Sequence, residues 1–162
     1  MNEPSVVAIY VADQEKAPVH AVAEALAEAG LGLRGDRYHT KNAGRSARDA
    51  KPDSEVTLIE IEAIEAAQRD YNLALKPGES RRNIVTRGVA LNHLVGREFR
   101  VGAAWLLGMR LCEPCQYLER LTREGMIRSL IHRGGLRARV VAGGIIRVGD
   151  SIHVEQGAER GV

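Results

Sequence analysis

The segment Leu111-Cys112-Glu113-Pro114-Cys115-Gln116-Tyr117-Leu118 is the most informative part of this chain. It follows an apolar run that is typical of a β-strand, and it places Cys115 at the junction between that strand and a helical pattern. The chain has only two cysteines, which excludes a disulfide scaffold. A free thiol at such a junction is suited to act as a nucleophile or as a soft metal ligand.

Length and composition predict one domain over residues 1–162, with its core at about 6–154 and no need for metal or disulfide support. Basic and acidic residues nearly balance, 23 against 21, and no basic run interleaves with aromatic residues. Nucleic acid is therefore not an expected partner. The start of the chain lacks a signal-peptide pattern, and no apolar run reaches the roughly 20 residues of a membrane helix. We expect a cytoplasmic protein that does not enter a membrane.

The first half of the sequence mixes strand and helix patterns. Residues 6–11 and 56–59 are predicted strands, and residues 62–71 are a predicted helix. Residues 17–29 also show helical spacing, from Val19 to Leu26, and Gly30 would end that helix. Residues 40–54 are polar without periodicity and predict a long surface loop, a kind of segment that is often functional.

The second half consists mainly of short β-type runs punctuated by glycine, interrupted by two helical stretches at 116–121 and 126–133. The predicted strands there are 83–86, 98–101, 104–111, 138–141 and 151–154. A Rossmann domain is not expected, because no glycine-rich dinucleotide fingerprint follows a strand. The predicted class is α+β, mainly β: a β-barrel with peripheral helices.

Cys112 and Cys115 have the C-x-x-C spacing, which permits three interpretations. A zinc site needs two further ligands at suitable spacing, and the histidines are scattered singly. A thioredoxin-like pair belongs at a helix N-terminus in a βαβ pattern, which this segment lacks. Buried cysteines also commonly serve as small apolar residues. That last interpretation is favoured for Cys112, while Cys115 remains open between a structural and a chemical role.

Arg81, Arg82 and Asn83 open a predicted strand with two guanidinium groups and an amide. Such groups contact phosphate or carboxylate through several donors at once. The alternative is a solvated strand end, and for an isolated arginine pair that alternative is favoured. Gly35-Asp36-Arg37 has a similarly simple interpretation as a tight turn whose aspartate bonds its own backbone.

Seven segments, taken in order, resemble the MOSC domain, the module named after the C-terminal part of molybdenum cofactor sulfurases. The resemblance covers nearly the whole chain, so the sequence looks like a stand-alone MOSC protein, and the β-barrel of that family agrees with the strand pattern. The segments are Gly32-Leu33-Arg34-Gly35-Asp36-Arg37-Tyr38, Val56-Thr57-Leu58-Ile59-Glu60, Arg81-Arg82-Asn83-Ile84-Val85, Leu94-Val95-Gly96, Pro114-Cys115, Gly134-Gly135-Leu136-Arg137-Ala138 and Gly149-Asp150.

The resemblance implies a site for a molybdenum–pterin cofactor (molybdopterin), or for sulfur in transit to one. Cys115 matches the family cysteine that ligates molybdenum in reductases of N-hydroxylated compounds or accepts sulfur in the carrier role. By the same resemblance, Arg81, Arg82 and Asn83 match the segment expected to hold the pterin phosphate, and Arg37 and His39 would lie in the wall of the site. Cys112 is a departure from the family pattern, and a second thiol so close could resolve an oxidised or persulfidated Cys115.

Three functions follow as hypotheses. The first is a molybdenum-dependent reductase of small N-hydroxylated compounds. Two cysteines cannot hold an iron–sulfur cluster and no nucleotide fingerprint is present, so its electrons must come from a separate redox protein. We expect that protein to dock near residues 40–54. The second is a sulfur carrier with a Cys115 persulfide, supplied by a cysteine desulfurase-type partner that uses pyridoxal phosphate. The third is a thiol-redox protein that uses Cys112 and Cys115 as a pair.

Overall fold

Eleven short strands and four helices make up residues 3–155, the part of the chain that the computed structural model describes. The strands are β1 (Ser5–Val11), β2 (His20–Val22), β3 (Glu24–Glu28), β4 (Gly32–Leu33), β5 (Val56–Glu60), β6 (Ile84–Arg87), β7 (Glu98–Val101), β8 (Ala104–Leu111), β9 (Leu136–Ala142), β10 (Gly144–Arg147) and β11 (Ile152–Val154). The helices are α1 (Arg37–Ala43), α2 (Ile61–Tyr71), α3 (Gln116–Leu121) and α4 (Met126–Leu130). This content confirms the mixed, mainly β class.

The strands form two sheets. The larger has eight strands in the order β11-β7-β8-β9-β5-β6-β1-β2, and the smaller has the order β10-β3-β4. The β5–β6 pair is parallel and is joined through α2, while the other ladders are antiparallel. A single antiparallel bridge links Ser5 to Ser151. The ladder of the larger sheet does not close, so the barrel part of the prediction is not confirmed.

The predicted helix at 17–29 is wrong, because this segment forms β2 and β3. In β3, Ala25 and Ala27 are buried and the residues on either side of each are less buried, with Glu24 exposed. This is the two-residue alternation of a strand. The strand pairs with β10 on one side and β4 on the other. Pairing with distant residues outweighs the helix preference of its alanines, as tertiary context often does. The strand β10 itself was absent from the sequence prediction.

The predicted loop at 40–54 is partly helical. Its first residues belong to α1, and a 3-10 turn occupies Ala47–Asp49. The predicted strands at 98–101 and 104–111 and the helix at 116–121 have the bounds that were expected. Within the described residues, no helix is long and apolar enough to cross a membrane.

Two apolar clusters fill the interior. The larger lies between the two sheets and includes Ile9, Leu58 and Phe99, none of which is solvent-exposed. The smaller joins α2 to α4 over the opposite side of β5 and β6, with Ile64 and Leu130 among its members. Strands β5 and β6 contribute to both clusters, so they are covered on both faces, which explains why every residue but the last in each strand is buried. The ends of these central strands are therefore fixed in place, and the candidate site lies at one such end.

Glu55 is a buried carboxylate at the entrance to β5. Its Oε1 accepts a 2.9 Å hydrogen bond from the Val140 N–H, and only 4% of the residue is exposed. Burial raises the pKa of Glu55 above its ordinary value of 4.5, although the Val140 hydrogen bond and the charge of Arg139 oppose the shift. The folded state therefore holds the Glu55 proton more tightly than the unfolded state does.

This linkage predicts a pH-dependent stability difference between the natural protein and Glu55→Gln. Below pH 4.5 the Glu55 carboxyl is protonated in both the folded and the unfolded state, so its burial carries no penalty for a charge. As the pH rises through the raised pKa of the folded state, the natural protein loses stability. Glutamine keeps the acceptor oxygen but does not ionise. Urea unfolding between about pH 5 and about pH 8 should show Glu55→Gln gaining stability over the natural protein. A difference that is constant with pH would contradict this account.

Candidate functional site

Cys115 lies in a short connection between β8 and α3. Strand β8 ends at Leu111, the Cys112 N–H donates to Gly135 O at 2.7 Å, and Cys115 occupies the N-cap position of α3. The Cys115 residue is exposed, whereas Cys112 is 2% exposed. The structure thus assigns different surroundings to the two thiols: Cys112 is packed like a small apolar residue, and Cys115 is accessible to a ligand or partner.

Two glycines allow this connection to pack closely against β9. A Cβ on Gly134 would collide with Cys112 O and Pro114 Cδ, and a Cβ on Gly135 would collide with Leu58 O. Gly135 also has a φ of +113°, which L side chains rarely adopt. The Gly134-Gly135 pair is therefore a packing requirement of the connection that carries Cys115.

Arg82, two residues before β6, holds the same connection in place. Its Nε donates to Gly134 O at 2.8 Å, and its Nη2 donates to Cys112 O at 3.0 Å and to Glu113 O at 3.5 Å. The residue is 8% exposed. A rigid guanidinium fork can hold two backbone segments at once, which a lysine ammonium cannot do with the same geometry. Arg82 consequently fixes the position of the Pro114-Cys115 turn relative to Gly134.

Asp36 and Arg37 fix the opposite wall. Asp36 is fully buried, and its Oδ1 accepts from Ala12 N at 3.0 Å and from Arg37 Nη1 at 2.9 Å, while Oδ2 accepts from Tyr38 N. The other end of the Arg37 guanidinium donates to Arg81 O at 3.1 Å. Arg81 has a left-handed backbone, φ 60° and ψ 14°, in the cap of a 3-10 turn. Non-glycine residues in this conformation are held there by their surroundings and cluster at functional sites.

Between these two walls lies a cleft of about 250 Å³, toward the small end for ligand sites. Five cationic side chains line it, against two carboxylates: Glu15 is ion-paired with Lys41, and Glu113 Oε2 lies 3.0 Å from His132 Nδ1. The cleft therefore has an excess of positive charge and an accessible thiol in one wall. Its lining consists of Glu15, Arg37, Tyr38, Lys41, Ser54, Arg81, Arg82, Glu113, Cys115, Tyr117, Leu118 and Arg137.

Two of the cleft arginines have shifted pKa values. Burial, followed by the nearby charge of Arg37, lowers the pKa of Arg81. The pKa of Arg137 is raised. Burial by itself would lower this pKa, but the negative charges that Cys112 and Tyr38 carry when ionised have the opposite effect and outweigh burial, together with a hydrogen bond with Tyr38. Arg81 donates to a backbone carbonyl, Ala17 O, at 2.7 Å. An anion bound in the cleft would relieve the repulsion between Arg37 and Arg81, so the electrostatics favour an anionic ligand.

The structure brings four of the six predicted site residues together in the cleft: Arg37, Arg81, Arg82 and Cys115. The other two lie outside its lining. His39 Nε2 is 3.1 Å from Glu28 Oε1 of β3. Asn83 is fully buried; its Nδ2 donates to Tyr10 O and its Oδ1 accepts from Thr57 N, so it ties β1 to β5.

Sequence reasoning missed several cleft residues. Asp36, behind the cleft wall, does bond its own backbone as expected, since its Oδ2 accepts from Tyr38 N, but its second task of holding Arg37 was not expected. Arg137 was present in the family-like segment after Gly134-Gly135 but received no role. Tyr38 and Tyr117 had no distinguishing pattern in the sequence, because they come to line one cleft only through the tertiary fold. Within residues 3–155, no group of three or more His, Cys, Asp or Glu side chains could hold a metal ion.

Comparison with known families decides the classification of the chain. The model described as "MOSC domain" matches residues 36–153, which include the cleft-lining segments from Arg37 to Arg137. The chain belongs to the MOSC domain family. Members of the MOSC family are associated with molybdenum-cofactor binding or sulfurase-like function. Among curated protein sequences, no relative matches.

Solved structures show the same MOSC fold at low sequence identity. The YUAD protein from Bacillus subtilis has a TM-score of 0.73 at 18% identity, over 94% of this chain and 97% of that one. YiiM from Geobacillus stearothermophilus has a TM-score of 0.72 at 16% identity, over 96% of this chain and 77% of that one. YiiM from Escherichia coli has a TM-score of 0.64 at 18% identity, over 93% of this chain and 69% of that one.

The contacts of Arg82 predict that Arg82→Lys loosens the Cys112–Cys115 connection. Losing the bidentate contact with buried carbonyls should cost about 2 kcal/mol of unfolding free energy. It should also speed alkylation of the buried Cys112 thiol, measured by mass spectrometry after trypsin digestion. Arg87→Lys is the matched control, because Arg87 lies five residues further along the chain, at the end of β6, and its side chain makes a 3.6 Å ion pair with Glu65 instead of contacting the connection. Equal Cys112 alkylation in both variants would contradict the role assigned to Arg82.

Proposed function

We propose that this protein binds the molybdenum cofactor in the cleft beside Cys115 and reduces small N-hydroxylated compounds with electrons from a separate protein. The observation that carries the proposal is the pairing of an exposed cysteine with an excess of cationic side chains in one cleft. Molybdenum is a metal that accepts soft thiolate ligands, and the pterin carries an anionic phosphate. Both chemical requirements meet in this cleft.

The donor set fits a metal that arrives with most of its own ligands. Cys115 is a single thiol with no cluster of further ligating side chains around it among the described residues. Such a site suits a cofactor-borne metal that takes one protein ligand better than a free ion that needs three or four. Cys115 would hold the metal, and Arg37, Arg81 and Arg137 would hold the anionic part of the cofactor.

Reduction of an N-hydroxylated base breaks its N–O bond, consumes two electrons and two protons, and releases water. The bound cofactor would supply a metal centre for this two-electron chemistry. The chain itself would contribute binding and orientation. Arg82 keeps the Cys115 turn in place, and Asp36 keeps Arg37 and, through it, the Arg81 backbone in place. Asn83 and His39, which were expected at the site, would then act from outside the cleft.

The accessibility of Cys115 also favours a second candidate function. A sulfur carrier must present its persulfide to a donor protein and then to an acceptor, and an exposed thiol at the end of a connection can do this. In that role a cysteine desulfurase-type partner would load Cys115, and the protein would have no turnover of its own. The two functions differ in what a purified sample should contain.

Metal content tests the proposal. The protein would be expressed in a host that makes the cofactor, purified without oxygen, and analysed for molybdenum and for pterin. We expect near-stoichiometric metal in the natural protein and in Cys112→Ser, and roughly a tenfold or greater loss in Cys115→Ser. Cys112→Ser is the matched control because it removes the other thiol, which the cleft does not need.

Two results would count against the reductase proposal. Equal metal in Cys115→Ser and Cys112→Ser would show that Cys115 is not a ligand. Metal-free protein whose Cys115 peptide carries the mass of one additional sulfur atom would instead support the sulfur carrier. The thiol-redox hypothesis is distinguished by the Cys112→Ser variant, because it is the one function of the three that requires Cys112.

A further inference from the structure

One rim of the cleft is a strongly basic surface. Residues 41–54 begin and end at the cleft, since Lys41 and Ser54 both line it. Behind this segment, Arg110 Nε donates to Asp53 Oδ2 at 2.8 Å, and Arg137 Nη1 donates to Asp53 O at 3.3 Å. We define the basic rim as Lys41, Arg45, Arg48, Lys51, Arg110 and Arg137, the cations of this segment and the two arginines that bond Asp53.

The carboxylates nearby do not neutralise this surface. Residues 41–54 contain two of them. Asp49 accepts a hydrogen bond from Ser46 Oγ, and the pKa of Asp53 is lowered, mainly because Asp53 accepts a hydrogen bond from Arg110. Within residues 3–155, the side chains of Arg48 and Lys51 make no hydrogen bond or ion pair, and both residues are exposed. The whole chain has a formal charge of only +2. Six cations against three carboxylates, namely Glu15 paired with Lys41, Asp53 paired with Arg110, and Asp49, therefore leave an excess of positive charge at this rim.

Isolated charged residues on a surface are usually just solvated, but the basic rim differs in location and density. It borders the cleft that exposes Cys115, so a partner bound to the rim would be beside the reacting thiol. Unpaired charges of one sign also produce the long-range potential that steers an oppositely charged protein. Residues 41–54 include no aromatic side chain for stacking on bases, which favours an acidic protein over a nucleic acid.

We propose that the basic rim docks the acidic face of an electron-donor protein beside Cys115. The inference rests on the proposed reductase function, which needs a donor of two electrons per N–O bond broken. A donor with a reduced flavin balances that step: its hydroquinone becomes the oxidised quinone and gives up two electrons and two protons. The cleaved oxygen leaves as water.

Binding of a probe protein tests the docking independently of any cofactor. Oxidised flavodoxin, a small acidic FMN protein, would be titrated into the cofactor-free protein at about 0.1 M salt, where the Debye length is about 10 Å. We expect Arg48→Glu/Lys51→Glu to weaken this binding by roughly tenfold, and about 1 M salt to weaken binding of the natural protein as well.

Arg100→Glu is the control for a change in net charge. Arg100 pairs with Trp105 in the β7–β8 ladder, five residues or about 17 Å along β8 from Arg110, the rim residue on that strand. Its reversal should change flavodoxin binding by less than about twofold, because charges beyond a Debye length are screened. Equal losses from the rim and control reversals, or no flavodoxin binding by the natural protein, would overturn the docking proposal. Tighter binding of single-stranded RNA than of flavodoxin would do so too.

Turnover separates a failure of docking from a failure of the proposed function. The cofactor-loaded protein would reduce benzamidoxime with either flavodoxin hydroquinone or reduced methyl viologen, a small cationic donor that needs no docking face. We expect the rim reversal to slow only the flavodoxin-driven reaction, by roughly tenfold. Equal flavodoxin-driven rates in the natural and reversed proteins, with viologen turnover intact, would refute docking alone. Absence of turnover with viologen would refute the reductase function.

Discussion

The Arg82 guanidinium is the contact on which the candidate site depends. It reaches from the start of β6 to Gly134 O and Cys112 O, and so joins the strand that enters the cysteine turn to the glycines that lead into β9. A charge buried to this extent costs free energy unless its donors are satisfied, and here backbone carbonyls satisfy them. The exposed thiol of Cys115 is thereby presented from a rigid base.

The opposite wall also contains a buried charge whose hydrogen bonds are satisfied, in this case a carboxylate. Buried Asp36 accepts from the backbone of Ala12 and Tyr38 and from Arg37, which in turn holds the Arg81 carbonyl. The positive charge of Arg37 acts on the nearby Arg81 guanidinium, and the Asp36 carboxylate, which is ion-paired with Arg37, offsets it only in part. Such an arrangement stores repulsion that an anionic ligand relieves, and this links the packing of the fold to its proposed chemistry.

Local pattern was sufficient for much of the fold. The strands β7 and β8 and the helix α3 follow from apolar alternation and glycine turns, and the Pro114-Cys115 turn is evident in the sequence. The strand β3 was mistaken for a helix because its alanines favour helix, while its strand state depends on β4 and β10. At the site, the sequence identified Arg37, Arg81 and Arg82 but not Arg137, and it did not separate the tasks of the three. Whether an arginine binds a carbonyl, as Arg82 does, or faces a cleft depends on contacts 30 to 50 residues away.

Selenium absorption spectroscopy tests most directly whether Cys115 is the protein ligand to molybdenum. Selenocysteine would replace Cys115 in a Cys112→Ser background, so that the label occupies one position, and the protein would be loaded with cofactor. The account predicts a selenium K-edge spectrum with molybdenum at bonding distance in addition to carbon. A sample that contains molybdenum but whose selenium has only light-atom neighbours would contradict it.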